Sequence, residues 1–264
     1  MSHTLEHSIN SYPSVNIGGI PFPTICYQDA LEAFNDWIKN GDARQVCIVN
    51  VHTLVSAQRD QGFGNILRSA DLCTMDGEPL RWYANLIEQA GVIERVCGPE
   101  LMLRCLDYGR ERGWKHFLLG GREGVLEQLH QNLVEKYPGV QIVGSEAPPF
   151  RPMTVEEGHA LVKQINESDA DFLWVGLGAP KQERWISENL ARLNVPVNIG
   201  VGAAFDFHAE NIARAPVWMQ RFGLEWLFRL INDPRLWRRY LSTNPPFLWM
   251  LIWDYIKIRL MGIR

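Results

Sequence analysis

The feature that most constrains the fold of this chain is a regular alternation of short apolar runs with helical patterns. The apolar runs predict core strands at Gln45–Asn50, Leu72–Met75, Lys115–Leu119, Gln141–Gly144, Phe172–Val175 and Val197–Gly200. Helices are predicted from Thr53, from Pro79 to about Gln89, and at Glu100–Arg112, Gly124–Tyr137, Thr154–Ser168 and Lys181–Leu193. Such alternation gives a mostly parallel sheet covered on both faces, so we predict a Rossmann-like α/β fold.

The alternation stops at Ala215-Pro216, and the pattern that follows is helical throughout. Helices are predicted at about Trp218–Ile231, Leu236–Ser242 and Phe247–Leu260. The sequence therefore divides into an α/β domain over residues 1–213 and a helical C-terminal appendage over residues 214–264.

The appendage differs from the rest of the chain in charge and in tryptophan content. Its nine basic and three acidic residues give a net charge of +6, within a chain whose net charge is -4. Five of the ten tryptophans also lie there. An anionic partner is therefore expected, and we predict that the appendage lies on a membrane surface. Packing against the body, or against a second copy in a homo-oligomer, is the alternative.

Other sequence features predict a protein of the cytoplasm, peripheral on the inner face of the cell membrane. There is no stretch of 18 apolar residues, and Met1–Asn16 lacks the layout of a signal peptide. The five cysteines include no C-x-x-C pair, so reduced thiols are expected. We predict no nucleic-acid partner.

The run from Phe172 to Glu183 carries the strongest sign of a ligand site. A buried strand ends in Gly176 and Gly178, and Lys181 and Gln182 stand at the start of the next helix. Glycine lets backbone N–H groups approach a ligand, and a helix N-terminus favours an anion such as a diphosphate. The alternative is a plain strand-to-helix turn that uses glycine for its geometry.

Other chemically useful residues also follow predicted strands. Asn50 and Asp76 end the first two, and Gly120-Gly121 ends the third, while Asp206 comes shortly after the last strand. The carboxyl ends of parallel strands meet at one edge, so these residues are expected to face one crevice. Arg95 is a candidate diphosphate clamp if it turns inward, and a solvated charge otherwise.

The sequence predicts neither a metal site nor a bound cofactor. Asp169-Ala170-Asp171 has the D-x-D spacing of many metal-dependent glycosyltransferases, but it precedes its strand and is expected at the opposite edge of the sheet. The histidines show no ligand spacing. Both the Gly-x-x-x-x-Gly-Lys-Ser/Thr motif and an opening G-x-G-x-x-G are absent, which argues against nucleoside triphosphatases and dinucleotide enzymes.

A set of motifs resembles the WecG/TagA/CpsF family of bacterial glycosyltransferases over roughly residues 15–244. The most specific elements are Gly178-Ala179-Pro180-Lys181-Gln182-Glu183 and Arg214-Ala215-Pro216. They are accompanied, in order, by Ser69-Ala70-Asp71-Leu72, Asp76-Gly77, Glu94-Arg95-Val96, Phe117-Leu118-Leu119-Gly120-Gly121, Gly200-Val201-Gly202-Ala203-Ala204-Phe205-Asp206 and Gly223-Leu224-Glu225-Trp226.

The resemblance implies metal-independent, inverting transfer of a sugar from a UDP-sugar to a sugar on a polyprenyl diphosphate, in cell-surface polysaccharide biosynthesis. UDP is then part of a substrate, and no cofactor is implied. By motif, Asp76 is the general base, Arg95 contacts the diphosphate, and Asn50 and Gln182 contact substrate. Three family arginines, expected near the acceptor and the membrane, correspond to Arg229, Arg235 and Arg238.

The sequence departs from the family pattern at a few positions, and other functions stay open. Ile48 replaces a frequent Thr, Val51-His52-Thr53 replaces Pro-x-Glu, and one residue is missing near Pro234-Arg235. The donor sugar is therefore open among glucose, N-acetylmannosamine and its uronic acid. The alternatives are a nucleotide-dependent Rossmann-type oxidoreductase and a non-catalytic membrane adaptor.

Overall fold

The computed structural model describes residues 9–216, 218–219 and 222–260. Its centre is a six-stranded sheet in which all strands are parallel, in the order β4-β3-β8-β7-β5-β6. These strands are β3 (Arg44–Val49), β4 (Leu72–Met75), β5 (Lys115–Gly120), β6 (Gln141–Glu146), β7 (Phe172–Gly176) and β8 (Val197–Gly200). All six predicted strands are present, and the prediction of a mostly parallel sheet is confirmed.

Helices connect the strands of this sheet. They are α1 (Tyr27–Asn40), α2 (Val51–Arg59), α3 (Gln61–Ser69), α4 (Glu78–Leu86), α5 (Gly98–Arg110), α6 (Glu123–Lys136), α7 (Val155–Glu167), α8 (Lys181–Asn189) and α9 (Ala204–His208). Helix α7 begins with a capping box, in which Thr154 and Glu157 each satisfy a backbone N–H of the other.

The apolar runs form strands because both faces of the sheet are buried. In β7, Phe172 and Trp174 join the core under α1, α5 and α6. Leu173 and Val175 point the other way, into the core under α7 and α8. Side chains that alternate between two buried faces make a parallel strand read as a continuous apolar run, which is why the sequence pattern finds these strands.

Three elements precede the first predicted strand, namely α1 and a two-stranded hairpin. The hairpin consists of β1 (Ser14–Ile17) and β2 (Ile20–Pro23), joined at Gly18-Gly19. Both glycines have positive φ, 60° and 84°, which suits a tight hairpin turn. The buried side of the hairpin packs with the core around β4 and α3. It therefore covers the sheet at its edge strand β4.

The appendage contains α10 (Glu225–Asn232) and α11 (Leu236–Tyr255). The helix predicted at about Trp218–Ile231 is interrupted, because Gly223 has a φ of 68° and ends a turn before α10 begins. Residues 220 and 221 of that prediction lie outside the described residues. No helix in the described ranges is long and apolar enough to cross a membrane.

The prediction of a break between Ser242 and Phe247 is wrong, because α11 runs through Pro245 and Pro246. Proline lacks an N–H and leaves the carbonyl four residues earlier without its helical partner. The Ser242 carbonyl, which Pro246 leaves free, accepts a hydrogen bond of 2.7 Å from the Arg59 guanidinium of α2. Tertiary contacts of this kind, together with the buried Phe247, allow the helix to continue.

Candidate active site

A cavity of about 430 Å³ lies at the carboxyl ends of β3 and β4. Helices α4, α10 and α11 form its other walls, so that the α/β body and the appendage enclose it together. Its charged lining residues are Asp76, Glu78, Arg95, Arg214, Glu225, Arg229 and Arg239. A concave site where a few charged groups converge beyond strand ends is where an α/β protein places its ligand.

Asn50 and Asp76 are brought side by side by the strand register. Val49 of β3 pairs with Met75 of β4, so the residues that follow them are neighbours at the edge. Asn50 caps α2, where its side-chain oxygen accepts a hydrogen bond of 3.1 Å from the Thr53 N–H. Burial raises the pKa of Asp76, whereas Arg95 and a hydrogen bond with Asn50 oppose that shift. The Asp76 side chain stays 24% exposed, toward the cavity.

Arg95 turns inward and stands at the centre of a cluster of carboxylates. Its guanidinium lies 4.0 Å from Asp76, 3.7 Å from Glu78 and 3.2 Å from Glu225. Desolvation disfavours the charged form of Arg95, but the carboxylates of Asp76 and Glu225 outweigh it and raise the pKa. Because Glu225 belongs to α10, this cluster ties the appendage to the strand ends.

Two further arginines of the appendage line the cavity and have no acidic partner. Among the described residues, no carboxylate lies within ion-pair distance of Arg229 or Arg239. The Arg229 guanidinium stands 5.3 Å from the centre of the Phe207 ring. Burial and the charge of Arg229 lower the pKa of Arg239, whose Nε has no hydrogen-bond partner. The charge of Asp76 acts on both arginines, but neither forms a direct ion pair with it, so their guanidinium groups are available to an anion in the cavity.

The other two predicted arginines of the appendage lie elsewhere. Arg235 is exposed and pairs with Asp233 at 2.8 Å, and Arg238 is exposed as well. Arg239 was missed, although the spacing offers a signal for it. It precedes the buried Thr243 and Phe247 by four and eight residues, which places all three on one helix face.

His52, one of the departures from the family pattern, also lines the cavity. Burial and the nearby Arg239 and Arg59 lower its pKa to about 4, so the ring is neutral at physiological pH. Its Nδ1 is buried without a hydrogen-bond partner. His52 can therefore offer a neutral polar contact to a ligand in the cavity.

The remaining predicted residues stand on the same edge of the sheet but outside this cavity. From β4 the edge runs past Asn50 on β3 to the ends of β8, β7 and β5. The predicted residues beyond Asn50 are Gly120, Gly121, Gly176, Gly178, Lys181, Gln182 and Asp206. The strands end at one edge, but of the strand-end residues expected to face one crevice only Asn50 and Asp76 line this cavity. The predicted strand-end residues therefore form two groups, one that lines the cavity and one that lies along the edge outside it.

Packing explains why two of these positions are glycine. A Cβ on Gly176 would stand 2.6 Å from the Phe205 ring, and one on Gly120 would stand 2.7 Å from the Gly176 backbone. Gly120 also has a φ of 119°, which disfavours any other residue. Phe205 therefore covers the end of β7, and at Gly176 the side chain is excluded by a protein neighbour.

The start of α8 is organised by Gln182 and Glu183, which are both buried. The Gln182 amide accepts a hydrogen bond of 3.0 Å from the Gly178 N–H and donates one of 2.9 Å to Glu183 Oε1. Burial raises the pKa of Glu183 to about 7, and its other oxygen has no hydrogen-bond partner. The preceding Lys181 is exposed.

The D-x-D pair lies at the amino ends of the strands, as expected. Asp171 accepts a hydrogen bond of 2.8 Å from the Lys115 N–H, and Asp169 forms an ion pair with the Lys115 side chain. Both aspartates thus have structural partners far from the cavity. In the described part of the chain, no group of three or more His, Cys, Asp or Glu residues is arranged to hold a metal ion.

Comparison with known proteins identifies the family of this chain. Two relatives carry the name N-acetylglucosaminyldiphosphoundecaprenol N-acetyl-beta-D-mannosaminyltransferase. The protein from Bacillus subtilis (strain 168) is 28% identical over 197 residues, 75% of each chain. The one from Bacillus spizizenii (strain W23) is 29% identical over 186 residues, 70% of each chain. A family model described as the Glycosyl transferase WecG/TagA/CpsF family matches residues 15–260. The chain is therefore a glycosyltransferase and a member of the WecG/TagA/CpsF family.

Proposed function

We propose that this enzyme transfers a sugar from a UDP-sugar to the sugar of a polyprenyl-diphosphate-linked acceptor, with inversion and without a metal ion. The observation that carries the proposal is the cavity in which Asp76 stands beside Arg95, facing the unpaired Arg229 and Arg239. The names of the two relatives support a lipid-linked diphosphate acceptor and N-acetylmannosamine as the transferred sugar. UDP-glucose and the uronic acid of UDP-N-acetylmannosamine are the other donors to test.

Asp76 is the proposed general base. In an inverting transfer, the acceptor hydroxyl oxygen bonds to the anomeric carbon while the bond to the UDP oxygen breaks, and the hydroxyl proton passes to the base. The raised pKa of Asp76 strengthens it as a proton acceptor, and Arg95 keeps the carboxylate charged and oriented. Asn50, which neighbours Asp76 at the strand ends, is proposed to contact the substrate at the same point.

The proposed role of the arginines is to bind and neutralise diphosphate. The diphosphate of the acceptor carries negative charge, and partly buried cations beside a cavity bind such charge strongly. Arg229 and Arg239 are buried in part and form no direct ion pair with a carboxylate among the described residues. Arg235 and Arg238 are exposed, which suits contacts to lipid phosphates at the membrane.

The donor is proposed to lie along the edge from Asp76 toward β7 and β5. Its diphosphate would approach the N-terminus of α8, where helix N–H groups favour an anion. Lys181, Gln182 and Asp206, with the glycines of the strand ends, are the expected contacts. Phe205 must then serve as one wall of the donor site, because it covers Gly176.

The apolar exposed side chains of the appendage support a position at the membrane surface. They include Trp218, Phe222, Ile231, Trp237, Leu241, Leu248, Trp249, Ile252 and Trp253. Large exposed apolar areas mark interaction surfaces, and tryptophan with arginine favours the headgroup region of a bilayer. We infer that the enzyme is peripheral on the cytoplasmic face of the membrane, where the lipid-linked acceptor is presented.

A donor panel tests the proposal directly. Full-length protein is incubated with the three UDP-sugars and a synthetic N-acetylglucosaminyl diphosphate prenyl acceptor, with and without EDTA, and products are identified by mass spectrometry. We expect EDTA-resistant transfer, and a loss of about 10²–10⁴-fold in turnover for Asp76→Asn with retained UDP binding.

The controls separate the competing assignments. Asp206→Asn is the matched variant, and near-normal turnover in Asp76→Asn with loss in Asp206→Asn would show that the base is misassigned. Absence of transfer from every donor would reject the proposed function. Absorbance titration with NAD(P) would then test the oxidoreductase alternative, and vesicle binding without turnover would indicate an adaptor.

A further inference from the structure

The cavity lining contains two chemically different sets of residues. One set consists of the charged residues around Asp76 and Arg95. The other is an apolar wall made of Trp82 from α4, Trp226 from α10, and Phe247, Leu248 and Leu251 from α11. A sugar nucleotide is polar along most of its length and does not require five large apolar side chains in a row.

The wall is held in place by contacts between α4 and α11. The Tyr83 hydroxyl donates a hydrogen bond of 2.6 Å to Asp254, and the Tyr83 and Phe247 rings pack with centres 6.5 Å apart. Phe247 is 2% exposed and forms the floor between the two helices. The wall is therefore a fixed part of the fold.

The edges of the wall remain open to solvent. Trp82 is 42% exposed and Leu248 is 52% exposed, although both line the cavity. Leu251 follows Leu248 by three residues and lies on the same side of α11. An apolar path thus leads from the charged side of the cavity to the surface between α4 and α11.

We infer that this apolar wall binds the first isoprene units of the lipid acceptor, next to the site of its diphosphate. The inference rests on the proposed function and adds a binding site for the hydrocarbon part of the substrate. A prenyl diphosphate has an anionic head and a branched apolar chain, and the cavity offers unpaired arginines beside an apolar wall. Burial of the chain would raise affinity in proportion to the apolar area removed from water.

This site is distinct from general contact with a membrane. Trp249 and Trp253 stack on each other with ring centres 6.4 Å apart and are 69% and 52% exposed. They lie on the side of α11 away from Phe247 and Leu251, as their helical spacing requires. A membrane-facing side and a chain-binding side can therefore be varied separately on one helix.

The test uses full-length protein and water-soluble acceptors without vesicles or detergent micelles. Acceptors that differ only in carrying five or fifteen prenyl carbons are compared in the transfer assay. For the wild type, KM is expected to fall by about tenfold or more with the longer chain, because even partial burial of two isoprene units is worth that much. Leu251→Asn and Leu248→Asn should remove most of this difference, because they should raise KM for the fifteen-carbon acceptor much more than KM for the five-carbon acceptor.

Two control variants separate binding of the prenyl chain from binding to a membrane. Trp249→Ala should keep the dependence on chain length while weakening vesicle binding, and Phe150→Ala, on a distant exposed loop, should change neither. Quenching of tryptophan fluorescence by farnesyl diphosphate, relative to dimethylallyl diphosphate, measures chain binding without turnover. Leu248, being half exposed, is the variant to use if Leu251→Asn does not fold.

Equal KM values and equal quenching for short and long chains in the wild type would overturn the chain-binding site and leave the proposed function standing. Loss of the chain-length dependence in Trp249→Ala, but not in the leucine variants, would also overturn it. Tighter binding of farnesyl diphosphate than of dimethylallyl diphosphate, without sugar transfer from any donor, would reject the proposed function. The chain-binding site would still stand.

Discussion

At the scale of single residues, the arginines of the appendage show how much one position on a helix matters. Arg238 and Arg239 are adjacent in sequence, yet Arg238 is exposed and Arg239 lines the cavity. Successive residues of an α-helix point in directions about 100° apart, because there are 3.6 residues in a turn. Two chemically identical neighbours therefore face in different directions, Arg238 toward solvent and Arg239 toward the cavity.

We expect Arg239→Ala to lower turnover by at least about tenfold, because an unpaired buried cation that binds diphosphate is worth more than about 1.4 kcal/mol. Arg238→Ala is the matched control and should change turnover little with a soluble acceptor. The measurement is kcat/KM for the two variants under identical conditions. Greater loss in Arg238→Ala would reverse this assignment of the two arginines.

Glu183 offers a second prediction at this scale, on the dependence of stability on pH. Burial raises its pKa from 4.5 to about 7, so the folded state binds a proton more tightly than the unfolded state. The stability linked to this proton is fully present below pH 4.5 and is lost as the pH rises through about 7. Ionisation of Glu183 can therefore cost the folded state up to about 3 kcal/mol.

The prediction is checked by urea unfolding of the wild type and Glu183→Gln between pH 4.5 and 8. The free energy of unfolding of the wild type should fall relative to that of the variant across this range. Glutamine keeps the size of the side chain and an oxygen that can accept the bond from Gln182. A difference between the two proteins that does not change with pH would contradict the shifted pKa.

At the scale of elements, the glycine-rich end of β7 has a packing role that bears on its proposed role in binding. Gly176 leaves room for the Phe205 ring of α9, which a Cβ would approach to 2.6 Å. Gly176→Ala should therefore lower the free energy of unfolding by about 1–3 kcal/mol through overpacking. Gly158→Ala in α7 is the control, because its Cβ would meet nothing within 4 Å, and it should stabilise by about 0.5–1 kcal/mol.

Denaturant unfolding and UDP calorimetry on the same variants separate packing from binding. If Gly176 acts mainly in packing, Gly176→Ala loses stability, and shortening Phe205 to Leu in the double variant restores part of it. A stable Gly176→Ala protein with abolished UDP affinity would instead support direct approach of the ligand to this glycine. The two results cannot both be obtained.

At the scale of the whole molecule, the net charge of +6 and the exposed tryptophans of the appendage predict binding to anionic membranes. Truncation near Thr243 would test this poorly, because it also removes the buried Phe247 and the contact of Asp254 with Tyr83. The sharper test replaces Trp249 and Trp253 by glutamate, since both are exposed.

We expect the double glutamate variant to bind anionic vesicles at least about tenfold more weakly in flotation assays, with an unchanged melting temperature. The wild type should also float less with zwitterionic vesicles and at high salt. If the wild type stays equally soluble with and without vesicles, the membrane proposal fails. A change in oligomeric state of the variant, measured by light scattering, would indicate an interface between copies of the chain.

The sequence by itself determined the α/β class, all six strands of the parallel sheet and the family. Strands buried on both faces appear as continuous apolar runs, and the helices between them carry their own start and stop signals. Asp76 and Asn50 could be placed together because parallel strands end at one edge. The motif around Lys181 and Gln182 could also be found without the structure, because its residues are consecutive in the sequence.

Tertiary structure alone decided which charged groups meet. Glu225, which pairs with Arg95, is 130 residues from it in the chain, and Arg239, which lines the same cavity as Asp76, is 163 residues from that aspartate. No local pattern reports proximity over such a separation. Arg59 supports the continuity of α11 through Pro245 and Pro246, and Phe205 excludes a side chain at Gly176. In each case a partner distant in sequence supplies the hydrogen bond, charge or volume, and local propensity therefore could not reveal the outcome.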